Sequence, residues 1–229
     1  MAHAYRPCRR LLDDVLAAGA PYPLALTGGY AVRAHGLVER LSQDLEFATE
    51  SPEALGKIAA DVGAALGERG WEVRALDAEP LAARLIVAEP GGIAECEYEE
   101  CEVDLYKEAL WHPPVQTEYG LTLSLEDVVG TKVRALADRG LARDLVDVHA
   151  AADHWTRPEL EELGRRHAPD TFDLTDLQTR LVGAELIDDW QFAAYGLDDE
   201  AIGDLRRWAQ EWADDIAERL MEMDVPEDE

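Results

Sequence analysis

Apolar positions in this chain fall into two regimes. Short apolar runs alternate with helix-period segments in the first half, and helical spacing runs almost unbroken after about residue 123. Arg9 to Ala18 reads as a short amphipathic helix that stops at Gly19. Pro21 and Pro23 bracket the entry to a first strand, Pro23-Leu24-Ala25-Leu26, which ends at Gly28-Gly29. Tyr30 to His35 predicts one or two helical turns ending near Gly36, and Asp44 to Ala48 a second strand. Ser51-Pro52-Glu53 has the chemistry of a helix start, so a helix is expected from there to about Arg69, before Gly70.

Trp71 to Leu76 and Ala83 to Val87 read as strands, followed by a turn at Glu89-Pro90-Gly91-Gly92. Ile93 to Tyr106 is strand-like but slips phase by one residue at Glu99-Glu100, which predicts a bulge or turn there. Downstream of the slip Asp104 points away from Val103 and Leu105, as an acid does on a half-exposed strand. Trp111 to Pro114 predicts a loop and Leu121 to Leu123 a short strand. Ser124-Leu125-Glu126-Asp127 is a capping-box pattern opening a helix to about Arg139, with Gly140 and a second helix, Leu141 to Asp153, behind it. The last long helix is expected over Asp198 to Met221. The fold class is therefore α+β: a small mixed or antiparallel sheet with flanking helices, then a helical C-terminal half. The domains expected are a catalytic core over 1–120 and a helical domain over 121–229.

Composition narrows the chemistry. Hydrophobic residues make up 47% and charged residues 31% of 229 positions, a globular balance. No apolar run reaches the ~20 residues that span a bilayer, and the first ten residues lack the apolar core of a signal peptide. Cys8, Cys96 and Cys101 form no CxxC pair, so neither a disulfide framework nor a zinc site is indicated, and a reduced, cytoplasmic protein is expected. The net charge of −28 argues against broad binding to a phosphate backbone. It leaves a solubilising surface, a cationic substrate or a basic partner as its meaning. The acid is concentrated late, with sixteen acids against three bases from Leu181 to Glu229.

The chemistry gathers around Gly28-Gly29 and Asp44-Leu45-Glu46. Two carboxylates two apart on a strand share a face and repel, and a cation relieves the repulsion. A Gly-Gly turn offers bare backbone N–H groups to an anion. Asp44 and Glu46 would hold Mg²⁺, with Asp104 completing the set and accepting a proton from an attacking hydroxyl. Lys132, Arg139 and Arg143 could reach the outer phosphates of a nucleotide, or Lys132 and Arg139 could lie on a solvated helix face with Glu126 and Asp138. His35 and His149 show no metal spacing, and Ser42 follows no GxSxG elbow. Trp155, Trp190, Trp208 and Trp212 are expected to be packing residues.

Gly28-Gly29, the run Arg40 to Phe47, and Val103-Asp104-Leu105 together resemble the polymerase-β type of nucleotidyltransferase. Asp127 to Leu136, with Arg143-Asp144-Leu145-Val146-Asp147, resembles the AbiEii/AbiGii (MenT-like) toxin branch, whose pattern is a helix Lys, an Arg-Asp pair and a further Asp. The resemblance covers about residues 20 to 155. It implies that Gly28, Gly29, Ser42, Lys132 and Arg143 bind the nucleotide, and that Asp44, Glu46 and Asp104 ligate Mg²⁺. Lys132 would lie near the triphosphate, and Asp144 near the active site, orienting Lys132 or binding the base or acceptor. The second carboxylate departs from the toxin pattern, being Glu46 where Asp is usual. The implied reaction moves NMP from an NTP to an acceptor hydroxyl and releases pyrophosphate. The acceptor is then an RNA (tRNA) 3′ end, with a cognate antitoxin as partner. A cationic, aminoglycoside-like acceptor and a catalytically inactive nucleotide- or protein-binding member are the alternatives.

Overall fold

The computed structural model describes residues 9–40, 42, 44–89 and 100–223. It divides the chain into two compact units, Met1–Val128 and Val129–Glu229. In the first unit the order is α1 (Arg9–Gly19), β1 (Ala25–Thr27), α2 (Gly28–Ala34), β2 (Leu45–Thr49), α3 (Leu55–Glu68), β3 (Glu72–Ala78), β4 (Ala82–Ala88), β5 (Cys101–Lys107), β6 (Val115–Thr117) and β7 (Gly120–Thr122). The strands form one seven-stranded sheet among the described residues, ordered β3-β4-β5-β2-β1-β7-β6. It is mixed: β2–β5 and β1–β7 run parallel, and the other neighbours run antiparallel.

Strand alternation decides which face is buried. Leu26, Leu45, Phe47, Val103, Leu105, Ala83, Leu85 and Val87 point to one side, where Leu11, Leu12 and Val15 of α1 and Ile58, Val62 and Leu66 of α3 complete the main core. Fully burying each larger aliphatic or aromatic side chain there is worth roughly 1.5–3 kcal/mol. The opposite face is only partly covered. A smaller cluster of Ala25, Ala31, Val32, Ala48, Leu123 and Val128 closes its β1 end. Toward β5 and β4 that face carries Glu46, Asp104 and Arg84.

Several local expectations are corrected. Asp44 lies before β2, in a bend, so it is not a strand partner of Glu46. The α3 N-cap is Ala54 without a side-chain bond; the Ser51 hydroxyl instead accepts from Glu53 N at 3.4 Å within the preceding turn. The hairpin partner β6 was not anticipated. The strand expected from Ile93 is described only from Cys101, and the phase slip at Glu99 lies outside the described residues. A separate register irregularity falls between Ala75 and Asp77 on β3. Asp104 is not half-exposed; only 3% of it is accessible.

α4 (Leu125–Arg139) opens as the capping box predicted: Asp127 N donates to Ser124 Oγ at 3.1 Å. The Asp127 carboxylate also accepts from Trp111 N and His112 N, which anchors the Trp111 loop. The second unit continues with α5 (Ala142–Ala151), α6 (Arg157–Arg166), α7 (Leu174–Val182), a 3-10 turn, α8 (Asp189–Ala193) and α9 (Asp199–Met223). Within it α4 and α6 approach closely, because a Cβ on Gly164 would lie 2.7 Å from the Val133 side chain. Ile202, Leu205, Ala209, Trp212 and Ile216 form the buried stripe of α9. Trp212 is fully buried, whereas Trp190 is 69% exposed and is not a core anchor. Among the described residues no helix is long and apolar enough to cross a membrane.

Candidate functional site

Sheet register builds the carboxylate row of the first unit. Thr27 pairs with Glu46, Glu46 with Asp104, and Asp104 with Arg84, across β1, β2, β5 and β4. Paired residues on neighbouring strands share a face, so these side chains form one row on the partly covered side of the sheet. Glu102 and Tyr106, two residues either side of Asp104, belong to the same face.

The turn from β1 into α2 lies against this row. Gly28 has φ +63, a left-handed conformation that favours glycine, and a Cβ there would sit 1.6 Å from Glu46 Oε2. A Cβ on Gly29 would meet Ser42 Oγ at 2.8 Å and an Arg40 guanidinium nitrogen at 3.3 Å. Gly29 N donates to Glu46 Oε2 at 3.3 Å, and the Ser42 hydroxyl donates to the Asp44 carboxylate. The bare backbone thus lets Glu46, Ser42 and Arg40 close on one small volume. Arg40 beside the glycine turn is a cation that the spacing of apolar residues does not reveal.

Asp104 is engaged differently from Asp44 and Glu46. Arg84 grips it with both prongs, Nε to Oδ1 at 2.6 Å and a terminal nitrogen to Oδ2 at 2.7 Å. Tyr106 Oη donates to Oδ2 at 3.3 Å. Burial, then the nearby Glu46 and Asp104 charges, push the Tyr106 phenol up, so it stays a protonated donor. Burial and the charge of Asp44 likewise push the Cys101 thiol up to about 12.

These contacts test the fit of a divalent cation. Asp44 and Glu46 are part-exposed hard oxygen donors, the kind of ligand that suits such an ion. Asp104 has both oxygens on Arg84. In keeping with that, no three His, Cys, Asp or Glu side chains among the described residues form a ready metal cage.

The second unit, taken by itself, carries Lys132, Arg143 and Asp144. Gly140, at φ +60, turns α4 back along α5, so that α4 cations meet α5 acids. Lys132 Nζ lies 3.1 Å from Asp147, with side-chain exposures of 8% and 0%. Arg139 forks onto Asp144 at 2.8 and 2.9 Å. Lys132 is therefore not on a solvated face, and its orienting acid is Asp147 rather than Asp144. Asp147 stood in the motif but escaped selection because its partner depends on how the two helices are registered. Arg143 has a buried Nε with no hydrogen-bond acceptor among the described residues, an unmet donor suited to an anion. His35 has a packing role, its Nε2 lying 2.8 Å from the Leu123 carbonyl oxygen.

Comparison with known proteins adds a lineage to this geometry. A family described as "Nucleotidyl transferase AbiEii toxin, Type IV TA system" matches residues 10–215. No curated protein matches the chain. JHP933 from Helicobacter pylori is similar in structure, with 20% identity and a TM-score of 0.55 over 93% of this chain and 94% of its own. MenT4, a nucleotidyltransferase toxin from Mycobacterium tuberculosis H37Rv, is similar at 18% identity and a TM-score of 0.58, over 91% of this chain and 83% of its own. At these identities the two likenesses show a shared fold.

Proposed function

The chain belongs to the nucleotidyl transferase AbiEii toxin family, and on that premise we propose that it moves NMP from an NTP to an acceptor hydroxyl. The observation that carries this reading is the close fit of Gly28 to Glu46, which sets a bare backbone turn against a carboxylate row. The acceptor oxygen bonds to the α-phosphorus, the bond from that phosphorus to the bridging oxygen breaks, and pyrophosphate leaves with the electron pair. A Mg²⁺ ion at Asp44 and Glu46 would neutralise charge at the α-phosphate.

The chain's own residues supply the rest. The Gly28-Gly29 turn binds phosphate oxygens once the Gly29 N–H leaves Glu46 Oε2, with Ser42 holding Asp44 in place. Lys132, oriented by Asp147, and Arg143, with its unmet donor, bind the outer phosphates. Asp144 holds Arg139 and so positions that cation. Asp104 takes the acceptor proton once one of its oxygens is free of Arg84.

The family argues for a toxin that acts in the cytoplasm on an RNA (tRNA) 3′ end and is restrained by a cognate antitoxin. A cationic small-molecule acceptor is the second reading, favoured by the net charge of −28. The test is incubation with each labelled NTP and Mg²⁺, offering tRNA and aminoglycosides separately. Label on tRNA supports the toxin reading and label on the aminoglycoside the second. No transfer to either acceptor, or undiminished transfer by Asp44→Ala, counts against the site.

A further inference from the structure

We propose that the cavity lined by His149, Trp155 and Trp208 in the second unit is a binding site for a small organic cation, an aliphatic ammonium of the polyamine class. The cavity lies within that unit, so the proposal is independent of the nucleotidyl-transfer reading of the carboxylate row.

The cavity measures about 460 Å³, inside the range of roughly 300–1,000 Å³ that small-molecule sites occupy. Its walls are largely aromatic. Trp155 and Trp208 are half-buried, neither core residues nor fully exposed ones. Trp208 rests on the fully buried Trp212, with ring centroids 5.2 Å apart. His149 meets Trp208 at 62°, with centroids 4.9 Å apart, so these two rings make a corner rather than a stack. Trp155 is braced by the His154 ring at 5.6 Å. Indole rings carry negative charge on their faces and attract a cation, most strongly when it leaves water. Leu160 adds an aliphatic wall, which suits the methylene groups of an alkylammonium chain.

Charge around the rings has the matching sign. Asp153 lines the cavity, and its charge and that of Asp204 both reach His149. Ala150 and Ala152 bring in the C-terminal end of α5, where the helix dipole is negative. Two positive features are already neutralised. Arg157 lines the cavity, but its guanidinium pairs with the Glu211 carboxylate at 2.8 Å and donates to the Glu211 carbonyl oxygen at 3.1 Å. The N-terminus of α6 is closed by its capping box, in which Glu159 accepts from Thr156 N at 2.7 Å. Burial pushes the His149 imidazole down, so it lines the cavity as a neutral ring. A nucleotide would bring phosphate charge against Asp153 and Asp204. An ammonium group meets aromatic rings and acids together.

The test is calorimetric titration of the full chain with spermidine, without nucleotide, at about 0.15 M salt, where attraction between distant exposed charges is screened. One saturable site is expected. Trp155→Leu, which keeps an apolar wall and removes the indole, should weaken spermidine binding about three- to fivefold, the scale of an indole–cation contact. Asp153→Asn should weaken it by a similar factor. Asp176→Asn, the same loss of charge on an exposed part of α7, should leave it unchanged. Trp208→Leu is expected to act as Trp155→Leu does; if it disturbs Trp212 and lowers the melting temperature, Trp155→Leu carries the comparison. Absence of a saturable site overturns the proposal. So does equal weakening by Asp153→Asn and Asp176→Asn with none by Trp155→Leu, the pattern of diffuse attraction to an acidic chain. Tighter binding of adenosine than of spermidine, lost in Trp155→Leu, overturns it in favour of a base-stacking site.

Discussion

Lys132 Nζ and the Asp147 carboxylate lie 3.1 Å apart, and water reaches almost none of either side chain. A buried pair gains little net stability, but removing one member strands the other. Asp147→Ala is therefore expected to cost about 3–5 kcal/mol in urea unfolding. The paired replacement Lys132→Met with Asp147→Leu restores most of that stability and leaves nucleotidyl transfer abolished. Recovery of transfer by the double variant would show that the pair serves the fold alone.

Gly28 supports a test of the turn with an internal control. Ala there meets two penalties, a left-handed φ of +63 and a Cβ that displaces the Glu46 carboxylate. Gly36, at φ +75 with nothing within 4 Å of a Cβ, meets the strain alone. Both Ala variants should lose about 1–2 kcal/mol of stability from the backbone. Only Gly28→Ala should lose transfer, on the order of a hundredfold, as ångström-scale misplacement of a reacting group does. Equal transfer rates for the two variants would remove Gly28 from the site.

Local periodicity and punctuation made much of the fold legible. The helix ends at Gly19 and Gly140 and the start of α4 at Ser124 were readable because caps act within a turn of their own residue. The shift of the α3 start from Ser51 to Leu55 was not, since a Ser-Pro turn uses the same residues as a cap. Gly28, Asp44 and Glu46 carried a motif. Arg84 carried none: its meaning comes from register with Asp104, across the 90–99 segment that no local rule spans. Asp147 was visible as a residue, but its tie to Lys132 needed the antiparallel helix pairing. Trp190 shows the opposite failure, an aromatic at a helical position that stays exposed.

Glu161 holds the second unit together from α6. It is 3% exposed, and it accepts from Trp212 Nε1 at 2.9 Å and from both terminal nitrogens of Arg219 at 2.8 and 2.5 Å. Arg219 keeps Asp215 at 3.0 Å as a second partner, which softens the loss of Glu161. Glu161→Gln is expected to lower stability by about 2–3 kcal/mol, the scale of hydrogen bonds to a charged group. Trp212 fluorescence should report an earlier urea midpoint. An unchanged midpoint would mean that these bonds merely replace equivalent ones in the unfolded chain.

His149 sets an acid limit on the same unit. Its ring meets Trp208 edge-on with centroids 4.9 Å apart, and with Asp153, Trp155 and Arg157 it lines a cavity of about 460 Å³. Burial pushes the imidazole below its ordinary 6.5, while the charges of Asp153 and Asp204 pull weakly the other way. The folded value is thus depressed, so on acidification the unfolded chain takes the proton first. The stability tied to His149 is in place above 6.5 and is lost as pH falls from there through the folded value. Wild type should therefore lose more of its urea midpoint than His149→Gln between about pH 7.5 and about pH 5. Parallel curves would show that the imidazole takes its proton as easily in the folded chain as in the unfolded one.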